Sequence, residues 1–389
     1  MVDIASDAEL APEEIVRRMD GTIYLHSREA DRTEAYLPSP VIQNHAAYLH
    51  FLPNGDLACA WFGGTMEGRG DISIWMSRLA KGAGKWSEAK RLSDDPDRSE
   101  QNPVLFNAPD GTVWLFHTSQ PGGRQDECEI VARKSGDGGL SFGPAKRIGR
   151  FQGVFVRSPV QITPSGRWLL PGFHCIAAKG ERWTGGEDKA VALYSPDQGE
   201  TWTSVELPDS LGAVHMNPVA SRNGSMPAFF RDRFAQSVKR AMSGDGGETW
   251  SAPQPTPLPN NNSSVQAVRL KDGRIAMVLN PVNANMSDQR RASLYDEIET
   301  DAVAGTGGAI WGVPRAPLSL VISGDEGLSF PYRRDLDTGT GYCLSNNSAE
   351  GLNKELSYPS ILQDPSGDLH IAYTYHRRAI KYVWLKLPH

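Results

Sequence analysis

The sequence predicts an all-β fold, a six-bladed β-propeller of four-stranded antiparallel blades, and three observations predict it. The first is one short turn in four near-copies: Ser135-Gly136-Asp137-Gly138-Gly139-Leu140-Ser141-Phe142, Ser195-Pro196-Asp197-Gln198-Gly199-Glu200-Thr201-Trp202, Ser243-Gly244-Asp245-Gly246-Gly247-Glu248-Thr249-Trp250 and Ser323-Gly324-Asp325-Glu326-Gly327-Leu328-Ser329-Phe330, at intervals of 60, 48 and 80 residues. In each, an Asp accepts hydrogen bonds from its own turn, a Gly permits positive φ, and an aromatic anchors the end. The second is six hairpin turns between apolar runs, Asn54-Gly55, Asp110-Gly111, Ser165-Gly166, Asn223-Gly224, Asp272-Gly273 and Ser366-Gly367. The third is composition: 39 Gly and 27 Pro in 389 residues suit short strands joined by tight turns. A repeat of this size marks a propeller, not one continuous sheet.

One blade then reads as strand A, a Gly turn, strand B, a long connection, strand C, the Asp turn and strand D. The second copy places these strands at 103–106, 113–117, 130–134 and 146–148, while the first keeps the frame with its Asp turn decayed over 77–86. The sixth has strands only at 358–363, 369–375 and 380–385, so the N-terminal stretch 22–26 is predicted to supply the fourth strand and remove the open edge. Residues 1–20 read as a peripheral segment with one helix at 11–19, and 21–389 as a single domain. The fifth copy is stretched, with 94 residues between Gly273 and Gly367 against 49 to 58 elsewhere. The excess, 281–317, includes a helix-like segment at 287–303 and reads as a lid or as an interface with a second copy, so homo-oligomers stay open.

A net charge of −6, a pI of 5.9 and no basic stripe predict no nucleic-acid partner and no attraction to an anionic membrane. The N-terminal 20 residues lack a signal peptide's basic and apolar regions and no run reaches spanning length, so a cytoplasmic location is expected. Cys59, Cys128, Cys175 and Cys343 form no CxxC pair and read as buried small hydrophobes. No HxH or HExxH spacing suggests a metal, and no cofactor is expected.

The blade formula puts both kinds of turn on one rim. The starts of the A strands and the B-to-C connections share the other, where uncommon residue types gather: Asn44-His45, Gln101-Asn102, Arg157-Ser158, Met216-Asn217, Ser263-Ser264 and Ser357-Tyr358 at strand starts, with Glu67, Asp71, His117, His174 and Arg377 in the following segments. Tyr358 heads an inner strand, where its ring either packs or reacts. Arg231 and Arg233 alternate on a strand end, so one is expected to face the centre and bind an anion while the other pairs with an acid. Glu67 and Asp71 end a Gly-rich loop, and either is a general acid or a partner of Arg69. His45, His174, His117 and His376 are each either proton carriers or ordinary hydrogen-bonded histidines.

Repeated SxDxGxTW turns in a six-fold strand repeat resemble the Asp-box (BNR) repeats of the sialidase superfamily. Phe62-Gly63-Gly64-Thr65, Asn260-Asn261-Asn262-Ser263 with Ala267-Val268-Arg269-Leu270, Ser357-Tyr358-Pro359-Ser360, Tyr373-Thr374-Tyr375 and Arg377-Arg378-Ala379-Ile380-Lys381 look like its sialidase-like, predicted-neuraminidase branch. The resemblance covers roughly residues 40–386. It implies a Tyr nucleophile at Tyr358, an acid/base at Asp71 or Glu67, and a carboxylate clamp that includes Arg231 or Arg233. It also implies an Arg at the first blade's strand start and a carboxylate helper at the fourth's, where this chain has Asn44-His45 and Met216-Asn217. A uronic-acid-like sugar held by fewer arginines therefore fits better than sialic acid.

Three readings stand at this point. One is an exo-acting glycoside hydrolase on a terminal anionic sugar of an oligosaccharide or glycoside. Here Tyr358 or an activated water attacks, Asp71 or Glu67 protonates the leaving oxygen, and Arg157, Arg231 and Arg233 hold the carboxylate, with Asn102, Asn217, His117, Asn262 and Arg377 also placed to bind the sugar. Another is a lyase cleaving beside a uronate by β-elimination, with His45 or His174 and Tyr358 moving the proton. The third is a non-catalytic glycan-binding propeller.

Overall fold

Each blade starts from a hairpin whose glycine the backbone needs. Gly55, Gly111, Gly166, Gly224, Gly273 and Gly367 all have φ between +83° and +101°, a region closed to residues with a Cβ. The computed structural model describes residues 12–177, 181–291, 308–339, 341, 343–344 and 354–387. Among the described residues, six antiparallel sheets form a six-bladed β-propeller.

Blade 1 runs Gln43–Phe51, Leu57–Gly64, Ser73–Leu79 and Lys90–Arg91, and blade 2 runs Arg98–Asn107, Val113–Pro121, Glu129–Ser135 and Lys146–Arg147. In blade 3 the inner strand is split into Val154–Val156 and Gln161–Ile162, followed by Trp168–His174, Lys189–Ser195 and Thr203–Leu211. Blade 4 is Ala213–Pro218, Met226–Asp232, Ser237–Ser243 and Gln254–Pro259. Blade 5 is Gln266–Arg269, Ile275–Leu279, Leu318–Ser323 and Tyr332–Asp337. Apolar side chains fill the space between neighbouring blades, as where Trp114 of blade 2 meets Trp168 of blade 3 edge to face at 5.4 Å.

Blade 6 closes the ring in a way that differs from the expectation. Leu356–Gln363, Leu369–Tyr375 and Ala379–Leu385 are joined by Arg32–Tyr36, not by residues 22–26, and Tyr24–Leu25 adds a fifth strand outside it. The charged Arg32-Thr33-Glu34 disguises this strand, because its charges are satisfied only in three dimensions. Lys381 Nζ lies 3.2 Å from Glu34 and 3.1 Å from Asp337, and Arg32 pairs with Glu34. The helix expected at 11–19 is Pro12–Arg18, and its Ile15 is buried in the cluster that contains Tyr24 and Tyr36. Residues 292–307 lie outside the described residues, and with them most of the helix expected at 287–303. The four cysteines are buried. Among the described residues no helix is long and apolar enough to cross a membrane.

The four Asp turns share one internal network. Asp325 accepts from the Ser323 hydroxyl at 2.8 Å, from Leu328 N at 3.0 Å, from Ser329 N at 2.9 Å and from the Ser329 hydroxyl at 2.6 Å. Asp137 and Asp245 repeat all four hydrogen bonds and Asp197 three of them. Turn and hairpin meet on the same rim, since Gly246 N donates to Gly224 O at 2.9 Å. The hydrogen bonds from Ser329, Ser323 and Leu328 pull the Asp325 carboxyl from 3.8 down to about 2. A carboxylate with a lowered folded value stabilises the fold above its unfolded value and loses that contribution as pH falls through the folded one. Asp325→Asn is therefore expected to lower the melting temperature by roughly 2 °C at pH 7. The gap to the wild type should close between pH 3.8 and about 2; equal melting temperatures at pH 7 would show that the network adds nothing.

Candidate active site

The site is built by a kink repeated at the head of the inner strands. Ala46, Asn102, His215, Asn262 and Tyr358, in blades 1, 2, 4, 5 and 6, have φ of +62°, +54°, +54°, +56° and +51°. In blades 1, 2, 4 and 6 the pairing of the inner strand with its neighbour slips beside this residue, between His45 and Tyr48, Gln101 and Val104, Val214 and Asn217, and Ser357 and Ser360. Such bulges re-aim a side chain out of the sheet. Here they turn side chains toward the propeller axis, into a narrow cavity lined by Glu67, Gln101, Asn102, Gln125, Phe155, Phe173, His215, Arg231, Arg233 and Tyr358.

Tyr358 is the hub. Its hydroxyl is 2.5 Å from an Arg231 guanidinium nitrogen, and the guanidinium carbons of Arg157, Arg231 and Arg315 lie 5.6, 5.7 and 5.6 Å from its ring centre. The His45 ring tilts against it at 4.2 Å, and the His215 ring meets it edge-on at 5.4 Å. Arg157 acts from behind the ring. It donates to the carbonyls of Ala47 (2.8 Å), Tyr358 (3.0 Å) and Pro359 (3.2 Å), bracing the kinks of blades 1 and 6. Burial lowers its guanidinium to about 10 and that of Arg231 to about 9.

Charge is unevenly compensated. Arg233 pairs with Asp188 at 2.7 and 2.8 Å under the rings of Phe173, Trp183 and Trp311, while burial raises the Asp188 carboxyl. Glu355 accepts from Arg315 (2.8 Å), Arg377 (2.9 Å) and the Ser357 hydroxyl (2.7 Å). Despite burial, Arg377 and Arg315 hold its carboxyl well below the usual range. Arg377 also reaches Glu67 at 2.5 Å. Arg231, 1% exposed, has only the neutral Asn262 Oδ1 (2.6 Å) and the Tyr358 hydroxyl, and its remaining terminal nitrogen has no hydrogen-bond partner among the described residues. An isolated buried cation is costly, so this arrangement suits an anionic ligand.

The structure thus brings Tyr358, Glu67, His45, Arg157, Arg231, Arg233, Asn102, Asn262 and Arg377 together at or beside the cavity. Both Arg231 and Arg233 line it, against the expectation that only one would, because residues two apart share a strand face. Asp71 is placed elsewhere: exposed, it closes its own loop by accepting from Thr65 N (2.8 Å) and the Thr65 hydroxyl (3.0 Å). Asn217 links blades, its Oδ1 accepting from Ala267 N at 2.5 Å. His174 ends a strand of blade 3 and His117 is buried within blade 2, 3.8 Å from Glu100, neither lining the cavity. His376 meets the Tyr375 ring edge to face at 4.5 Å.

Sequence reasoning missed His215, Glu355, Arg315 and Trp311. Proline misled it at His215: Pro follows the kinked residue directly in Asn102-Pro103 and Tyr358-Pro359, but two residues late in His215-Met216-Asn217-Pro218. Arg315 and Trp311 sit in the 281–317 stretch, which carries no strand pattern.

The family described as BNR repeat-like domain matches residues 55–371. No curated protein matches the chain. Among solved structures, a Hadza microbial sialidase superposes with a TM-score of 0.66 at 15% identity over 89% of this chain, which spans 66% of that chain's length, just under two thirds. A protein of unknown function from Dyadobacter fermentans gives 0.66 at 16% identity, covering 91% of this chain and 98% of the other. The intramolecular trans-sialidase from Ruminococcus gnavus, solved with oseltamivir carboxylate, gives 0.64 at 14%, covering 88% and 94%. At such identities these likenesses speak for the fold.

Glu355 is the common anchor of Arg315, Arg377 and Ser357, so removing its charge leaves two guanidiniums buried without it. Glu355→Gln is expected to cost about 3 kcal/mol or more at neutral pH, read as a shifted denaturant midpoint. A midpoint unchanged from the wild type would show that the anchor is dispensable.

Proposed function

The chain belongs to the BNR repeat-like domain family, and from that premise we propose that it is a glycoside hydrolase of sialidase type that removes a terminal anionic sugar, one with a single carboxylate as in a uronic acid. The observation that carries this reading is Arg231, fully buried, with neutral partners and a terminal nitrogen left over beside the cavity. A carboxylate there would neutralise the guanidinium through a charge-assisted hydrogen bond. It would also bring the sugar's anomeric carbon to Tyr358, the one hydroxyl among the cavity-lining side chains. Glu67, the carboxyl that lines the cavity, is the candidate acid for the leaving oxygen. Arg377 holds its Oε2, which leaves Oε1 for the proton.

A second reading, β-elimination beside a uronate, is favoured by the two imidazoles against Tyr358. Burial lowers both His45 and His215 well below 6.5, so they are neutral proton acceptors at pH 7. One assay reads both. On a panel of uronate and sialic-acid glycosides, hydrolysis releases a saturated sugar and elimination an ultraviolet-absorbing unsaturated one. We expect the saturated product from a uronate glycoside, no turnover in Tyr358→Phe, and in Arg231→Gln a loss of about 10- to 100-fold in kcat/KM that a neutral glycoside does not share. Equal turnover of neutral and anionic glycosides by the wild type would overturn the anionic assignment, and binding without turnover would leave a glycan-binding propeller.

A further inference from the structure

If Tyr358 attacks a sugar, its phenolic proton needs an acceptor. The carboxylates are poorly placed for it: Asp71 is spent on Thr65, Glu355 on Arg315, Arg377 and Ser357, and Asp188 on Arg233 and Trp183. The His45 ring tilts against Tyr358 at 4.2 Å, with its Nδ1 held by the Thr374 hydroxyl at 2.8 Å and its Nε2 without a hydrogen-bond partner among the described residues, but it does not line the cavity. His215 differs. It occupies in blade 4 the kink that Tyr358 occupies in blade 6, it lines the cavity, its ring edge faces the Tyr358 ring, and its Nδ1 has no hydrogen-bond partner among the described residues.

Resting on the hydrolase reading above, we propose that His215 is a catalytic residue of this site, the base that takes the Tyr358 phenolic proton. In the first step the phenol oxygen bonds to the anomeric carbon while the bond from that carbon to the glycosidic oxygen breaks. The departing electron pair takes a proton from Glu67, and the phenol's proton passes to His215. In the second step a water oxygen attacks the same carbon and gives a proton to Glu67. The phenol oxygen leaves and recovers its proton from His215. Both groups return to their starting state, and the sum is glycoside plus water to free sugar plus alcohol.

The surroundings of His215 keep its ring unprotonated and weaken it as a base. Burial first, and then the nearby Arg231, Arg233, Arg157 and Arg315, disfavour the imidazolium, so the free ring is neutral at pH 7 and takes the proton in concert with the bond from the phenol oxygen to the anomeric carbon. The Phe173 ring tilts against it at 5.0 Å and adds no charge.

His215→Asn is the test, because asparagine holds the equivalent kink at Asn102 and Asn262 and so keeps the backbone at +54°. We expect kcat to fall by about 10²- to 10⁴-fold with KM changed by less than a few-fold. In the wild type kcat falls only at pH well below 6.5, where His215 takes up a proton; that acid limb should vanish in the variant, and added imidazole should restore part of the rate. The melting temperature serves as the folding control, with His215→Gln as the second variant. Wild-type turnover with kcat and acid limb unchanged in both variants overturns this inference and leaves the hydrolase reading standing. No turnover of any anionic glycoside by the wild type removes that reading and this inference with it.

Discussion

The left-handed kink at the head of the inner strands is the constraint from which the rest of the site follows. Non-glycine residues at positive φ carry a cost of order 1 kcal/mol or more each, and five inner strands of this propeller accept it. The neighbouring blade braces them. Ala46 N donates to the Thr374 hydroxyl of blade 6, and Arg157 of blade 3 gathers the carbonyls of Ala47, Tyr358 and Pro359. A strand without the kink would keep alternating its side chains between the blade's two faces, into the packing between blades. With it, Tyr358, His215, Asn102 and Asn262 meet near the axis although more than 250 residues of chain separate the first from the last.

Just beyond three of the kinks a second repeated device ties the inner strands together. Side chains of three successive inner strands accept main-chain N–H groups of the next: Asn217 from Ala267, Gln266 from Ile361 and Ser360 from Leu49. Neighbouring inner strands are too far apart around the axis for a backbone ladder, so a side chain fills the gap and satisfies a buried donor that would otherwise be costly. This explains why a polar residue such as Asn217 stands at the head of an apolar strand without belonging to the site. A polar residue at a propeller's centre has two possible employers, the ring and the ligand.

That ambiguity sets how far the sequence is legible. The fold is legible because its signals are local: a Gly at positive φ or an Asp fed by its own turn is decided within eight residues, and the six hairpins and four Asp turns repeat it. Ring closure is less so, because Arg32-Thr33-Glu34 looks like a surface turn until Lys381 and Asp337 are set beside it. In the site, Tyr358 and Arg231 stand out by type and position. His215 is hidden by a proline shifted two residues, and Glu355 shows its role only through Arg315 and Arg377, 40 residues before and 22 after it. Asp71 shows the opposite error: a carboxylate in a Gly-rich loop reads as chemistry when its own turn already uses both oxygens.

The electrostatics of the centre follow from the same geometry. Among the described residues the guanidiniums of Arg157, Arg231, Arg233, Arg315 and Arg377 are gathered with the carboxyl groups of Glu67, Asp188 and Glu355, and each of these carboxyl groups lies against Arg233, Arg315 or Arg377. The two left over are treated differently. Arg157 gives one terminal nitrogen to three carbonyl oxygens and so braces the fold, while its Nε and other terminal nitrogen have no hydrogen-bond partner among the described residues. Arg231 is given one amide oxygen and one phenol. A site selected for stability alone would replace it with an apolar side chain, since a buried ion without a counter-ion is the expensive case. Its retention against the Tyr358 hydroxyl places positive charge without a counter-ion among the described residues where an anion would supply the balance, and burial first, with the nearby arginines, keeps the neighbouring imidazoles neutral.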